Sequence, residues 1–213
     1  MTFFPLRRIV PSILCLAILG ACGTSPPVRY HALSRPASIG MESSGAAQVL
    51  VEILPIAVPD AVTRAGLVMN DGNGRVTVLE SDRWQAPVAD DMRQVVADSL
   101  WRSVRATDTY QAPVPVGGVS LPRYRLAIRV ERFDAIPGQA GIVVGSWTLR
   151  SQPDGAAHIC RWAGTQPLDG KDAAAAAAAL AEGSRRMADH IGDSLRRAVA
   201  GLEDVCGVRE EPA

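Results

Sequence analysis

Apolar and charged positions alternate most regularly between residues 123 and 131. The apolar positions are Tyr124, Leu126, Ile128 and Val130. The charged positions are Arg123, Arg125, Arg129 and Glu131, and Ala127 is the one small exception. Because successive side chains of a strand point to opposite faces, this pattern predicts a strand with one buried face and one charged face. The charged face is either solvated or a docking face for a partner.

Two further β-prone runs follow this strand and predict an antiparallel meander. A proline–glycine turn at residues 136–141 leads into a strand over residues 142–150. A second turn at residues 152–155 leads into a third strand over residues 157–165. Turn residues between alternating runs are typical of hairpin connections.

The first half of the chain contains shorter apolar runs. Residues 28–33 alternate as a first strand, and residues 48–58 are apolar on both faces, as in an interior strand. Residues 67–70 and 75–79 flank an Asp-Gly-Asn-Gly turn, which predicts a hairpin. A short strand is predicted over residues 107–111.

A first helix is predicted from the three-to-four-residue spacing that follows Pro87. Proline suits the first helical position, and Asp90 and Asp91 lie in the first turn, where carboxylates favour the positive end of the helix dipole. The buried face consists of Met92, Val95, Val96, Ser99, Leu100 and Val104.

A long second helix is predicted over residues 172–202, with Asp169 or Asp172 as its cap. It begins with a strongly helix-forming alanine run, and Gly183 weakens it locally. Its apolar stripe is Leu180, Met187, Ile191, Leu195, Ala198 and Leu202. The alanine run packs within the domain or, alternatively, against a second copy in a homo-oligomer.

The N-terminal 22 residues have the layout of a secretory signal. Arg7 and Arg8 precede an apolar run over residues 9–21 that ends in small residues before Cys22. The run is too short to span a bilayer, which takes roughly 20 apolar residues. Leu19-Gly20-Ala21-Cys22 resembles a bacterial lipobox, in which the cysteine receives a diacylglyceryl group and the chain is cut before it. An ordinary signal peptide with an incidental Cys22 is the alternative.

These features divide the chain into four parts. Residues 1–21 are the predicted signal peptide, 22–27 a lipidated tether, 28–205 a single domain and 206–213 a C-terminal tail. Gly23, rather than Asp, follows the cysteine, and in enterobacterial-type sorting this indicates the periplasmic face of the outer membrane.

Charge composition narrows the classes of partner. The chain has 22 Lys+Arg and 22 Asp+Glu, and loss of Arg7 and Arg8 with the signal leaves 20 against 22. A nucleic-acid partner calls for clustered positive charge, so none is predicted.

Two cysteines remain after the signal and the anchor are assigned, Cys160 and Cys206. In an oxidising compartment such a pair tends to form a disulfide, here closing a loop of about 45 residues. Two separate buried thiols are the alternative.

Motifs for catalysis or metal binding are missing from the sequence. The histidines are His31, His158 and His190, without metal-ligand spacing. Triad residue types on the last helix are Asp189, His190, Asp193 and Ser194. One helix does not make such side chains converge, so we predict no enzyme activity, no metal and no cofactor, with a hydrolase as the distant alternative.

Two local patterns have competing interpretations. The acidic glycine turn at residues 71–74 lacks the ligand number and closing Glu of a calcium loop, so a hairpin turn is favoured. Trp84 and Trp101 are predicted to pack the first helix against the sheet rather than to stack on a ligand.

Five motifs occur in a specific order along the chain. They are the lipobox, Arg29-Tyr30-His31-Ala32-Leu33, the strand over residues 51–59 leading to Arg64, Arg83-Trp84 before the first helix, and Arg132-Phe133-Asp134 before a strand with Trp147. In this order the chain resembles the PqiC/YmbA-type lipoproteins, the ABC-type transport auxiliary lipoprotein family. The segment at residues 60–64 departs from the usual Tyr-Leu-Asp-Arg type, and Cys160 and Cys206 are not family features.

The resemblance implies an α/β (α+β) fold, a mixed, largely antiparallel sheet with an amphipathic helix and a long C-terminal helix packed on it. The predicted element order is compatible with this fold. The resemblance also implies an auxiliary component of trans-envelope lipid transport that supports membrane integrity. Its partners would be an MCE-domain protein and an inner-membrane permease or ABC transporter. Docking or channel completion is the favoured role, and a periplasmic lipid-binding carrier is the alternative.

Overall fold

The computed structural model describes residues 27–34, 45–114, 120–153 and 155–207. The strands of this part are β1 Arg29–His31, β2 Val49–Ile53, β3 Gly66–Asn70, β4 Val76–Trp84, β5 Ala106–Asp108, β6 Arg123–Ile136, β7 Ala140–Ser151 and β8 Ala157–Pro167. The helices are α1 Val88–Val104 and α2 Ala173–Val199, and a 3₁₀ turn spans Asp60–Thr63. None of these helices is long and apolar enough to cross a membrane.

All eight strands join one mixed sheet with the long β6 at its centre. On one side β6 pairs antiparallel with β7, which pairs antiparallel with β8. Two strands pair with the other side of β6. Strand β2 pairs with the first part of β6, and β3 pairs with the end of β6. The sheet continues from β2 to β5 and from β3 through β4 to β1. The long ladders are antiparallel and the parallel pairs are short, which confirms the predicted fold class.

Helix α2 packs unusually close to β7 because glycines line the contact. A Cβ atom added to Gly141 would lie 2.9 Å from the Cβ of Ala179, and one added to Gly145 would lie 2.7 Å from the sulfur of Met187. Gly183, predicted to weaken the helix, allows the same close approach to Val143. The buried alanines of α2 therefore serve an internal contact between helix and sheet.

Several predicted boundaries differ from the observed ones for identifiable reasons. The strand predicted over residues 48–58 ends at Ile53, because Pro55 has no N–H for a ladder, and Ala57 makes only an isolated bridge to Arg129. The strand predicted to end at residue 79 continues to Trp84. Pro87 is the N-cap of α1 rather than its first helical residue.

Helix α2 agrees more closely with its prediction. It ends at Val199 instead of residue 202, and Asp172 caps it by accepting a hydrogen bond from the Ala175 N–H at 2.8 Å. The side chain of an N-cap aspartate satisfies one of the donors that the first helical turn leaves unpaired.

The segment after α2 folds back onto β8. Val205 is buried, and Cys206 is joined by a disulfide to Cys160 with a Cα–Cα distance of 5.4 Å. Arg197 donates to the Asp204 carboxylate at 3.0 Å and closes the same segment. Residue 206, predicted to begin a tail, is thus covalently tied to the sheet.

Candidate functional site

The open face of strands β6, β7 and β8 carries the charged residues of the alternating pattern. Arg123, Arg125, Arg129 and Glu131 lie opposite the buried Tyr124, Leu126, Ile128 and Val130. A register shift between Val130 and Arg132 places both Glu131 and Arg132 at exposed positions. Because the helices pack on the other face, this face is left as a broad polar surface.

Arg125 is the centre of a first row of residues across the strands. Its Nε donates to Glu52 Oε2 of β2 at 2.6 Å. On its other side Arg150 of β7 lies directly opposite in register. Directly opposed like charges destabilise a sheet, so the fold alone does not explain the Arg125–Arg150 pair. Glu52 offsets only one of the two charges.

A second row contains Arg129 of β6, Ser146 of β7 and Arg161 of β8. Arg161 Nε and Nη2 donate to Glu131 Oε2 at 3.0 and 2.9 Å. The hydrogen bonds from Arg161, and then one from Ser146, hold the pKa of the Glu131 carboxyl below its ordinary value. Within the described ranges, Arg129 and Arg150 form no ion pair.

Between these rows lies a row of small and apolar side chains, Ala127, Thr148 and Ile159. Ile159 is 77% exposed, the largest value among the exposed large hydrophobic residues of the described chain. Together with Arg129 and Ser146 these residues line a shallow depression of about 240 Å³. An apolar centre surrounded by arginine is the composition of a protein-docking surface.

We call this surface the basic face; it consists of Arg123, Arg125, Arg129, Glu131, Arg150, Ile159 and Arg161. All four residues of the predicted docking face lie on it. The sequence prediction missed Arg150, Ile159 and Arg161, which come from neighbouring strands. Alternation along β7 and β8 indicates which way their side chains point, but their places beside Arg125 and Arg129 depend on strand register.

A second group of ion pairs and hydrogen bonds fixes the start of the domain. Strand β1 pairs with β4, with Arg29 opposite the buried Asp82 and His31 opposite Trp84. Arg29 Nε and Nη2 donate to the two Asp82 oxygens at 2.9 and 2.8 Å, and His31 Nε2 lies 3.0 Å from Asp82 Oδ1. The sequence motifs around Arg29 and Arg83 are therefore two halves of one structural unit.

Asp91 completes this unit from the first turn of α1. Its carboxylate accepts the N–H of the buried Leu33 at 2.7 Å and the N–H of Ser34 at 3.3 Å. The sequence interpretation assigned Asp91 to the helix dipole alone. The structure adds that Asp91 binds the backbone immediately after β1.

Asp82 makes the stability of this unit depend on pH. The hydrogen bonds from Arg29 lower the pKa of Asp82 from 3.8. A depressed folded-state pKa contributes stability above the unfolded value, and that stability is lost as the pH falls from 3.8 through the lower folded value. We expect Asp82→Asn to lower the free energy of unfolding by about 2 kcal/mol at pH 7, as for a lost charge-assisted hydrogen bond. Urea unfolding from pH 7 to pH 2 measures this loss.

The stability difference between Asp82→Asn and the parent should shrink as the pH falls below 3.8. Asp60→Asn, at an exposed carboxylate of the 3₁₀ turn, is the control and should match the parent at every pH. A constant difference across the whole range would contradict a role for the Asp82 charge.

The triad residue types on α2 each have a different partner. Asp189 accepts from Ser99 Oγ at 2.7 Å, and His190 stacks on Trp162 with ring centroids 5.6 Å apart. Ser194 Oγ donates to the His190 carbonyl at 3.0 Å. These side chains therefore bind helix α1, the sheet and the backbone of α2 rather than one another.

The other candidate sites have equally local partners. The Asp71 carboxylate accepts the N–H groups of Asn73 and Arg75, as a hairpin turn requires. Among the described residues, no three His, Cys, Asp or Glu side chains come together as metal ligands. Trp84 is buried and packs against Phe133 with ring centroids 5.8 Å apart. Cys22 lies outside the described residues, so its lipidation stays a prediction.

Two solved structures share this fold. A crystal structure of an uncharacterized protein aligns with a TM-score of 0.64 and 16% identity, covering 80% of this chain and 99% of that one. A Xanthomonas campestris protein of the DUF330 family aligns with a TM-score of 0.62 and 16% identity, covering 82% and 98%. At these identities the likeness shows the fold alone. Comparison with curated protein sequences gave no match.

A family model covers most of the domain. The model described as the ABC-type transport auxiliary lipoprotein component matches residues 31–192, from the end of β1 to near the end of α2. The match includes Asp82, Asp91 and the whole basic face, and Cys206 lies beyond it. The resemblance seen in the sequence motifs is confirmed, and the chain belongs to the ABC-type transport auxiliary lipoprotein component family.

Proposed function

We propose that this protein is an outer-membrane-anchored periplasmic lipoprotein that docks onto an MCE-type protein of a trans-envelope lipid transport system. The inner-membrane partner of that system would be a permease or ABC transporter. Membership of a family of transport auxiliary lipoproteins supports a role in transport. The basic face is the observation that supports docking.

The charge of the basic face determines which partner surface it fits. It has five arginines, Arg123, Arg125, Arg129, Arg150 and Arg161. Among the described residues, Glu52 pairs with Arg125 and Glu131 with Arg161, and no other carboxylate forms an ion pair with this set. The excess positive charge surrounds the exposed Ile159, so the complementary surface would combine carboxylates with an apolar pocket.

The packing between sheet and helices disfavours the alternative, a carrier that holds lipid in that space. Ala179, Met187 and Gly183 of α2 meet β7 at distances at which even an added Cβ would clash. The depression lined by Ala127, Thr148 and Ile159 lies on the open face instead. Native mass spectrometry after gentle extraction tests the alternative, because a carrier would retain one phospholipid per chain.

Capture of the MCE partner tests the docking proposal. We expect the Arg129→Glu/Arg150→Glu double variant of the lipidated full-length protein to lose most of its partner capture, because two attractive contacts become repulsive. Capture from solubilised membranes, with the partner quantified against the bait, measures the effect. Loss should be accompanied by increased detergent sensitivity of the cells.

The matched control is Arg64→Glu/Arg75→Glu, which makes the same change in net charge at exposed positions away from the basic face. This control should capture the partner as well as the parent does. Equal losses in the two variants would indicate a general charge effect. Full capture by Arg129→Glu/Arg150→Glu would exclude the basic face as the docking surface.

A further inference from the structure

The first described residues of the domain expose apolar surface. Val28 is 42% and Tyr30 66% exposed. Tyr30 alternates with Arg29 and His31, so its ring lies on the opposite side of β1 from Asp82 and next to Arg83 of β4. Grouped apolar side chains on an exposed strand edge are typical of a surface that contacts a protein or a membrane.

These residues cannot move independently of the domain, because β1 is fixed at several points. Asp82 holds Arg29 and His31, and Asp91 holds the backbone at Leu33. The Gln85 N–H also donates to the His31 carbonyl at 2.8 Å. A surface that contacts Tyr30 would therefore also set the orientation of the whole domain.

The predicted lipid anchor is only a short length of chain away. Val28 is six positions after Cys22, and even a fully extended chain of that length spans at most about 21 Å. The headgroup region of a bilayer adds roughly 5–7 Å on each side of the hydrocarbon core. An acylated Cys22 thus keeps Val28 and Tyr30 within a short distance of lipid headgroups.

The chemistry of this edge suits such a surface. Tyrosine combines an apolar ring with a polar hydroxyl and is enriched where membrane meets water. Arg29 points to the opposite side of β1, where it pairs with Asp82. Arg83, on the same side as Tyr30, is paired with the exposed Glu80. The side chains of Val28 and Tyr30 therefore carry the contact.

We propose that Val28 and Tyr30 rest on the phospholipid headgroup layer of the membrane that holds Cys22, an inference that depends on the lipid anchor of the proposed function. This contact would fix the orientation of the domain on the membrane. Strands β1 and β8 are two edge strands of the sheet, five strand spacings apart, or about 24 Å. The membrane contact turns β8 and Ile159 of the basic face away from the lipid and toward a partner in the periplasm.

A site-specific fluorescent label tests the contact. Tyr30→Cys is labelled with nitrobenzoxadiazole in the acylated full-length protein, reconstituted into phosphatidylethanolamine–phosphatidylglycerol vesicles. We expect a blue shift, higher intensity, and quenching by lipids that carry a nitroxide near the headgroup. The control label is at Thr165→Cys, which is exposed on the edge strand β8. Five strand spacings, about 24 Å, separate β8 from β1, so this label should keep a water-like spectrum.

Labels at positions 28 and 30, together with partner capture on the same vesicles, distinguish a failure of the membrane contact from a failure of the proposed function. If the Tyr30→Cys label weakens β1, a label at Val28→Cys, just before the strand, must show the same blue shift. Water-like spectra at positions 28 and 30 would overturn the membrane contact, and retained partner capture on the same vesicles would leave the proposed function intact. Absence of an acyl mass on Cys22 would overturn the anchor that both proposals share.

Discussion

Cys22→Ala, expressed behind a cleavable secretory signal peptide, is expected to release the folded protein from the membrane and to abolish its function. The physical reason is the number of methylene groups that anchor the chain, because each buried CH₂ contributes about 0.8 kcal/mol and two or three acyl chains are lost together. Fractionation of membranes measures the release. Complementation of a deletion strain, scored by detergent sensitivity, measures the function.

The loss of the acyl chains should not change the stability of the domain. The Cys22→Ala protein is expected to unfold at the same temperature as the parent, because the described fold begins after the anchor. Ser25→Ala, a change within the tether that keeps the cysteine, is the control and should remain in the membrane fraction and active. Gly23→Asp should keep the acyl chains but move the protein to the inner membrane. A fully active soluble Cys22→Ala protein would contradict the proposed role of the anchor.

Cys206→Ser is expected to destabilise the domain by about 4 kcal/mol, which is the chain-entropy value for opening a loop of this length. The disulfide connects residues 46 positions apart and ties the segment after α2 to the edge strand β8. For a domain of this size the change corresponds to a fall in melting temperature of roughly 10 °C. Thermal unfolding monitored by circular dichroism under oxidising conditions measures it.

A reductant supplies the matched control for this prediction. The reduced parent should unfold at the same temperature as Cys206→Ser, and the variant itself should not respond to the reductant. We also expect the family-matched part of the fold to survive, since residues 31–192 do not include Cys206. Equal stability of the oxidised parent and Cys206→Ser would show that the disulfide does not stabilise the native state.

Strand β1 and the basic face lie in different parts of one sheet, and β6 connects them. Phe133 near the end of β6 packs on Trp84, the residue paired with His31 of β1. Arg125 and Arg129 project from the first part of the same strand. Continuous β-structure therefore joins the basic face to the strand that follows the predicted tether.

The sequence predicted the faces of the elements well, as β6 illustrates. Its alternation placed Arg123, Arg125, Arg129 and Glu131 on one side, and the structure has the same arrangement. Along α2 the predicted stripe is buried from Leu180 to Leu195, but Leu202 lies beyond the helix and is 49% exposed. Of the two predicted caps, Asp169 and Asp172, the structure has Asp172. Boundaries such as the end of β2 were less predictable, because they depend on which neighbours supply hydrogen bonds.

Strand order could not be read from the pattern. The pairing of Arg29 with Asp82 joins residues 53 positions apart, and nothing local to either residue specifies the other. Arg150 could be placed on a charged face, but its position opposite Arg125 follows from the β6–β7 register. The disulfide was left open at the sequence level for the same reason, since a cysteine pair is joined only if the fold brings their Cα atoms near each other.

By itself the sequence determined the helices, the two-faced strand and the family resemblance, and it predicted the lipobox, because each is expressed by residues close together in the chain. Only the tertiary structure decided that the arginines of three strands form one surface and that Cys206 reaches Cys160. It also decided that strand β1, which contains Arg29 and His31, pairs with β4. Local periodicity reflects the repeat of a helix or strand, whereas the choice of partner is made by packing and loop closure over the whole chain.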